Sequence, residues 1–225
     1  MGNTMDKAEI YKHVDHTQLK AFAVWDDYVK LCDEATRYRC ASVCVPPSQV
    51  AAIRERYPEL TICTVVGFPL GYSVTAAKVA EVEKALADGA DEIDMVIDIA
   101  DTKNHYYDKV QTEINALRAA TGNKILKVII ETCYLDRDEK IRLCEIVTAA
   151  KADFIKTSTG FGTAGATLED VELFKQHIGP SVRIKAAGGI RSVEDMERFL
   201  AAGCARLGTS SAVQLLESGA AGAGY

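Results

Sequence analysis

The stretch Asp153-Phe154-Ile155-Lys156-Thr157-Ser158-Thr159-Gly160-Phe161-Gly162 reads as a short apolar strand running into a glycine-rich turn, with a lysine inside the strand. Lysine is rarely fully buried without a partner, and a dry ammonium is costly. A counter-charge or a lowered pKa is the usual response, and a neutral lysine is a nucleophile for carbonyls. The pattern repeats along the chain. Arg183-Ile184-Lys185-Ala186-Ala187-Gly188-Gly189 sets a second lysine before a second glycine turn. Ile125–Glu131 carries Lys127 in an apolar run, and Glu92–Ile97 carries Asp94 in the same way. Four charges in four hydrophobic strands are hard to explain by packing alone.

Outward from that stretch, strand and helix patterns alternate. Strands are expected at 13–17 (weakly), 42–45, 61–67, 91–98, 124–131, 153–157, 182–186 and 206–208. Helices are expected at 26–38, 49–57, 73–88, from about 105 to 120, at 138–150, 168–177, 192–201 and 210–217, with a short lead-in helix at 6–12. Strict alternation predicts a parallel sheet, and near-continuous apolar strands predict a sheet covered on both faces. Eight such units predict an α/β fold, a single-domain (β/α)8 TIM barrel over residues 1–217. The competing arrangement is an open doubly wound sheet, against which the lack of GxGxxG after the first strong strand counts mildly. The glycine-rich tail 218–225 is flexible by composition.

The chain has 225 residues, 48% hydrophobic and 26% charged, with a net charge of −6. That balance argues against a nucleic-acid surface, which needs a basic stripe. No run is long enough for a membrane helix or a signal peptide, so a cytoplasmic protein is expected. The seven cysteines are scattered, with no CxxC pair, and read as free thiols. His13 and His16 have no carboxylate or cysteine at ligand spacing, so no metal is expected.

Alternate strand residues share a face. A charge on the outer face would be trapped under helices, whereas the inner face leads to the mouth at the C-terminal strand ends. Asp94, Lys127, Lys156 and Lys185 are therefore placed inward and near the top. Lys127 alone reads equally well as a salt-bridge partner of Asp94. Lys156 and Lys185, on adjacent strands, would repel by about 3 kcal/mol at ~5 Å and an effective dielectric of ~20. That is about two pKa units, enough to favour one neutral amine. The glycine turns at 159–162, 187–189 and 207–211 follow the last three strands, where barrels bind phosphate.

The chain resembles the deoxyribose-phosphate aldolase family of class I, metal-independent aldolases. The resemblance rests on Asp15-His16-Thr17, Ala90–Asp94, Leu126–Thr132, Asp153–Phe161 and Lys185–Arg191. It implies a barrel without cofactor that acts on a small phosphorylated sugar and acetaldehyde. Lys156 would form the Schiff base, Lys185 would lower its pKa and relay protons, and Asp94 would shuttle protons through water. Lys127 would hold Asp94 and meet the substrate hydroxyl, and the terminal Tyr225 would reach the site. Asp15, Cys44, Thr159, Gly160, Gly188, Gly189, Gly208, Ser210 and Ser211 would contact substrate, with Gly160, Gly188, Gly189, Ser210 and Ser211 near its phosphate. No membrane or nucleic-acid partner is implied, and a homodimer is a candidate assembly. Gln18 and Ala186 depart mildly from the family pattern. A different Schiff-base barrel and a non-catalytic phosphosugar sensor remain as competing readings.

Overall fold

The computed structural model describes residues 5–218. Eight parallel strands close into a barrel: β1 (Val14–Thr17), β2 (Ser42–Val45), β3 (Ile62–Val66), β4 (Glu92–Val96), β5 (Ile125–Ile129), β6 (Phe154–Lys156), β7 (Arg183–Ala187) and β8 (Arg206–Thr209). Each strand pairs with its sequence neighbours, and β1 closes the circle against β8 through Val14–Leu207 and Asp15–Gly208. The helices, α1 to α10, are Lys7–Tyr11, Trp25–Tyr38, Val50–Arg56, Thr75–Ala87, Ile99–Lys103, Tyr107–Thr121, Arg137–Ala149, Leu168–His177, Val193–Ala202 and Ala212–Ser218. The expected barrel is the observed one, and the weak first strand is real.

The helix expected from about His105 to Ala120 is present as α6, but a short helix precedes it that the sequence pattern does not announce. The chain forms α5 first, capped by Asp98 accepting from the Asp101 N–H, and His105 then turns at φ 57° before α6 begins. A non-glycine residue with positive φ interrupts a helix. The last helix begins at Ala212, so Ser210 and Ser211 lie in the loop before it.

The outward strand residues, among them Ile62, Ile93, Met95, Leu126, Val128 and Ile155, join the helices in one apolar shell. One buried ion pair pins that shell. Lys78 of α4 donates to the Val96 carbonyl at 2.8 Å and to Glu113 of α6 at 2.6 Å, and Glu113 also accepts from the Asp98 N–H. Removing one partner of such a pair leaves the other charge dry, which costs about 3–5 kcal/mol. Lys78→Met should lower unfolding free energy by about 3 kcal/mol in urea titration. A change below about 0.5 kcal/mol, the range of ordinary surface substitutions, would show that the pair does not fasten α4 to α6.

Candidate active site

Alternation along the strands turns a second set of residues inward. The ladder register and the barrel stagger arrange them in layers supplied by alternate strands. Cys44, Asp94, Lys156 and Gly208 come from the even strands, towards the mouth. Asp15, Cys63, Lys127 and Lys185 come from the odd strands, one step below. Ser42, Glu92, Phe154 and Arg206 lie beneath them. The middle of the barrel is thus a charged network instead of a hydrocarbon core.

Asp94 is its centre. Oδ1 accepts from Lys127 Nζ at 2.7 Å, and Oδ2 accepts from both Lys185 Nζ at 2.7 Å and Lys156 Nζ at 2.8 Å. Asp15 binds Lys185 and Arg206 and accepts from Ser42 Oγ at 2.8 Å. Glu92 binds Lys127 at 2.6 Å and Arg206 at 2.8 Å. Asp94, Lys127 and Lys185 are 0% exposed, and Lys156, the one nearest the mouth, is 3% exposed.

Burial alone would push the Asp94 and Asp15 carboxyls up. The surrounding cations outweigh it, chiefly Lys127 at Asp94 and Lys185 at Asp15, and hold both below the usual carboxylate range. Burial alone would likewise lower Lys185, but Asp15 and Asp94 outweigh it and raise its pKa. Setting Lys156 and Lys185 against each other as bare charges therefore overstates their repulsion. The sequence placed them side by side correctly, but a single carboxylate oxygen lies between them.

Above the network, the β6–α8, β7–α9 and β8–α10 loops enclose a pocket of about 200 Å³. Gly160, Gly188, Gly189, Gly208, Ser210 and Ser211 line it, as expected, together with Arg191. Gly188 adopts φ +75°, and a Cβ at Gly165 would come within 2.3 Å of the Gly188 backbone, so two loops meet where side chains do not fit. The Ser211 N–H is already given to Thr209 Oγ1.

The remaining candidates sit elsewhere. Asp15, read as a substrate contact, lies in the interior layer with no exposed surface. Lys127 is equally enclosed, facing Asp94, Glu92 and Cys63 instead of open space. Thr159 is a loop anchor: its N–H donates to Glu131 Oε1 at 3.1 Å, its hydroxyl donates to Glu131 Oε2, and it accepts from the Phe161 N–H at 3.0 Å. Cys44 is buried beside Cys63, Leu19 and Val65, with Phe68 packed on them. Tyr225 lies outside the described residues, as does the tail beyond Ser218.

Sequence reading gave no role to Glu92, Cys63, Glu131 or Arg206. Their period-2 placement shows the face of Glu92 and Arg206. Glu131, at φ 54° just past β5, carries no such signal.

The family model described as DeoC/LacD family aldolase matches residues 6–223. The chain belongs to this family. The aldolase is 63% identical over 214 residues to the deoxyribose-phosphate aldolase of Clostridium botulinum (strain Alaska E43 / Type E3), across 95% of this chain and 97% of that one. It is 57% identical over 210 residues to that of Clostridioides difficile (strain 630), across 93% and 96%. Among solved structures, the aldolase QR15 superposes with a TM-score of 0.89 at 36% identity, covering 93% of this chain and 95% of that one. The tetrameric deoxyribose phosphate aldolase of Aeropyrum pernix gives 0.87 at 30% identity, covering 95% and 92%. No helix among the described residues of the aldolase is long and apolar enough to cross a membrane.

Carboxyls whose pKa is lower folded than unfolded supply stability above their unfolded value, about 4, and lose it as pH falls towards the folded value. With Asp94 and Asp15 both lowered, the urea midpoint of the aldolase should drop steeply from pH 5 to pH 3. A midpoint that stays level across this interval would remove the network from the stability of the barrel.

Proposed function

We propose that the protein reversibly cleaves 2-deoxy-D-ribose 5-phosphate to D-glyceraldehyde 3-phosphate and acetaldehyde through a Schiff base on Lys156. The observation that carries this reading is the shared carboxylate. Lys156 Nζ lies 2.8 Å from Asp94 Oδ2, which also holds Lys185, at the mouth end of the network and beneath the glycine-lined pocket. The identity to deoxyribose-phosphate aldolases over nearly the whole chain supports the same substrate.

The network holds Lys127, Lys156, Lys185 and Arg206 against Asp15, Glu92 and Asp94. It therefore carries one cation more than it has carboxylates. Lys156 touches one carboxylate, whereas the other cations touch two or three. The neutral Lys156 amine attacks the substrate's C1 aldehyde, and loss of water from the carbinolamine gives an iminium. The iminium draws the electrons of the C2–C3 bond as it breaks, leaving an enamine. Asp94, working through water and against Lys185, accepts the C3 hydroxyl proton and returns a proton to C2. Hydrolysis then frees acetaldehyde and the amine.

The glycine-lined pocket with Arg191 takes the phosphate, so binding energy far from the reacting carbons orients them. The apolar group of Leu19, Cys44, Val65 and Phe68 suits the two-carbon fragment. Glu131 acts as a positioning residue: through Thr159 it fixes the loop that runs from Lys156 to the phosphate pocket.

Borohydride reduction with acetaldehyde should add an ethyl group at Lys156, and Lys156→Ala should lose both label and turnover. A Lys156→Ala protein that is still labelled and active would end the Schiff-base assignment. Glu131→Gln exchanges a doubly accepting carboxylate for an amide that can accept only once. A charged hydrogen bond is worth about 1.5–3 kcal/mol, so kcat/KM for the phosphorylated sugar should fall roughly 10- to 100-fold. An unchanged kcat/KM would leave Glu131 without a positioning role.

A further inference from the structure

All seven cysteines are unpaired, yet two of them face each other beside the catalytic carboxylate. Cys44 and Cys63 are direct register partners on the neighbouring parallel strands β2 and β3, and both point inward. Neighbouring strands lie about 4.8 Å apart, inside the Cα separation that a disulfide spans, roughly 4.4–6.8 Å. The two sulfurs and a carboxylate oxygen of Asp94 all lie within 4.8 Å of one another. Cys63 Sγ is 3.1 Å from Asp94 Oδ1 and accepts from Lys127 Nζ at 3.1 Å. The single Cys63 proton can thus go to the Asp94 oxygen or to the Cys44 sulfur.

We propose that Cys44 and Cys63 form a reversible disulfide when the protein meets a peroxide, and that this disulfide turns the site off. Cys44 faces inward on β2 as Lys156 does on β6, and it is only 1% exposed, so the oxidant has to be as small as hydrogen peroxide to reach the sulfur. The Cys44 thiol loses its proton as its sulfur attacks one peroxide oxygen, the O–O bond breaks, and the departing hydroxide takes up that proton and leaves as water, giving a sulfenic acid at Cys44. Cys63 sulfur then attacks the Cys44 sulfur, the S–O bond breaks, and a second water leaves. The two thiols together lose two protons and two electrons, and the peroxide is reduced to two waters.

The surroundings favour Cys44 over the other thiols as the site of first attack, whereas burial, the hydrogen bond to Cys44 and the Asp94 charge push Cys63 well up and keep it a thiol until Cys44 is oxidised. A hydrogen bond from Cys63 lowers the Cys44 pKa against the opposing effect of burial, and Lys185 adds to the lowering. Burial pushes Cys32, Cys40, Cys144 and Cys204 up to about 12, which keeps them as unreactive thiols. Oxidation would take the proton from Cys63 that Asp94 Oδ1 accepts, and would draw the Cys44 sulfur towards the layer below. Asp94 is the carboxylate that holds Lys156, so the change reaches the reacting amine directly. Side chains on adjacent strands must lean together to bond, and a strained disulfide is readily reduced.

The experiment treats the purified full chain with hydrogen peroxide, then reads aldol cleavage and maps unreduced peptides by mass. The expected result is a Cys44–Cys63 linked peptide, two hydrogens lighter than its parts. Activity should fall tenfold or more as the linkage forms and return with dithiothreitol. In Cys63→Ala, compared with its own untreated activity, peroxide should add oxygen to Cys44 without any linkage. Should that variant not fold, Cys44→Ala serves the same comparison, with no linkage and no reductant-reversible loss. Cys133→Ala should still form the linkage and lose activity. The proposal is overturned by inactivation without the linked peptide, or by the linked peptide with activity intact. Because linkage is read by mass, the cross-link stands or falls separately from the substrate assignment.

Discussion

The Asp94 carboxylate, divided among three lysine side chains in the buried middle of the barrel, is the constraint on which the rest depends. An unpaired carboxylate there would cost many kcal/mol in desolvation, and so would each lysine. Together they become tolerable, because every charge has a partner at hydrogen-bonding distance. The network then runs through Lys185 and Asp15 to Arg206, and through Lys127 to Glu92, so that removing any member strands its neighbours. Such an interior costs stability compared with packed hydrocarbon. What it supplies is a fixed, proton-rich lining directly beneath an amine.

The apolar shell and the charged interior divide the work along each strand. Outward residues bind the helices to the sheet and are almost all aliphatic or aromatic. Inward residues carry the charges, and the period of two along β4, β5, β6 and β7 turns them all into the barrel interior, in successive layers. The loops past those strands hold the glycines, where backbone atoms approach more closely than side chains allow. Rigid strands therefore place the amine and carboxylate, while glycine-rich loops shape the pocket above them.

Much of this is legible from residue order. Lys156, Lys185, Asp94 and Lys127 stand out because charges in apolar strands require a reason, and alternation shows which face they take. Gly160, Gly188 and Gly189 stand out because they follow strands. Other features leave no local trace. Asp15 looks like a residue at the end of a weak strand, yet it is sealed between Lys185 and Arg206. Thr159 looks like part of an anion loop, yet both its polar groups are taken by Glu131. The partners in these pairs are separated by 28 to 191 residues, and no spacing rule connects them.

The sequence by itself determined the alternation of eight strands with helices, the inward face of each strand, and the set of charged residues that face inward. These follow from period-2 and period-3.6 patterning and from the cost of burying charge, which are local properties. Tertiary structure alone decided which charges meet. Closing β1 against β8 brings Asp15 to Lys185 and Arg206, and the stagger of the strands sets one Asp94 oxygen between Lys156 and Lys185. The physical reason is that contacts across a barrel depend on its closure and shear, which belong to all eight strands together and to no segment alone.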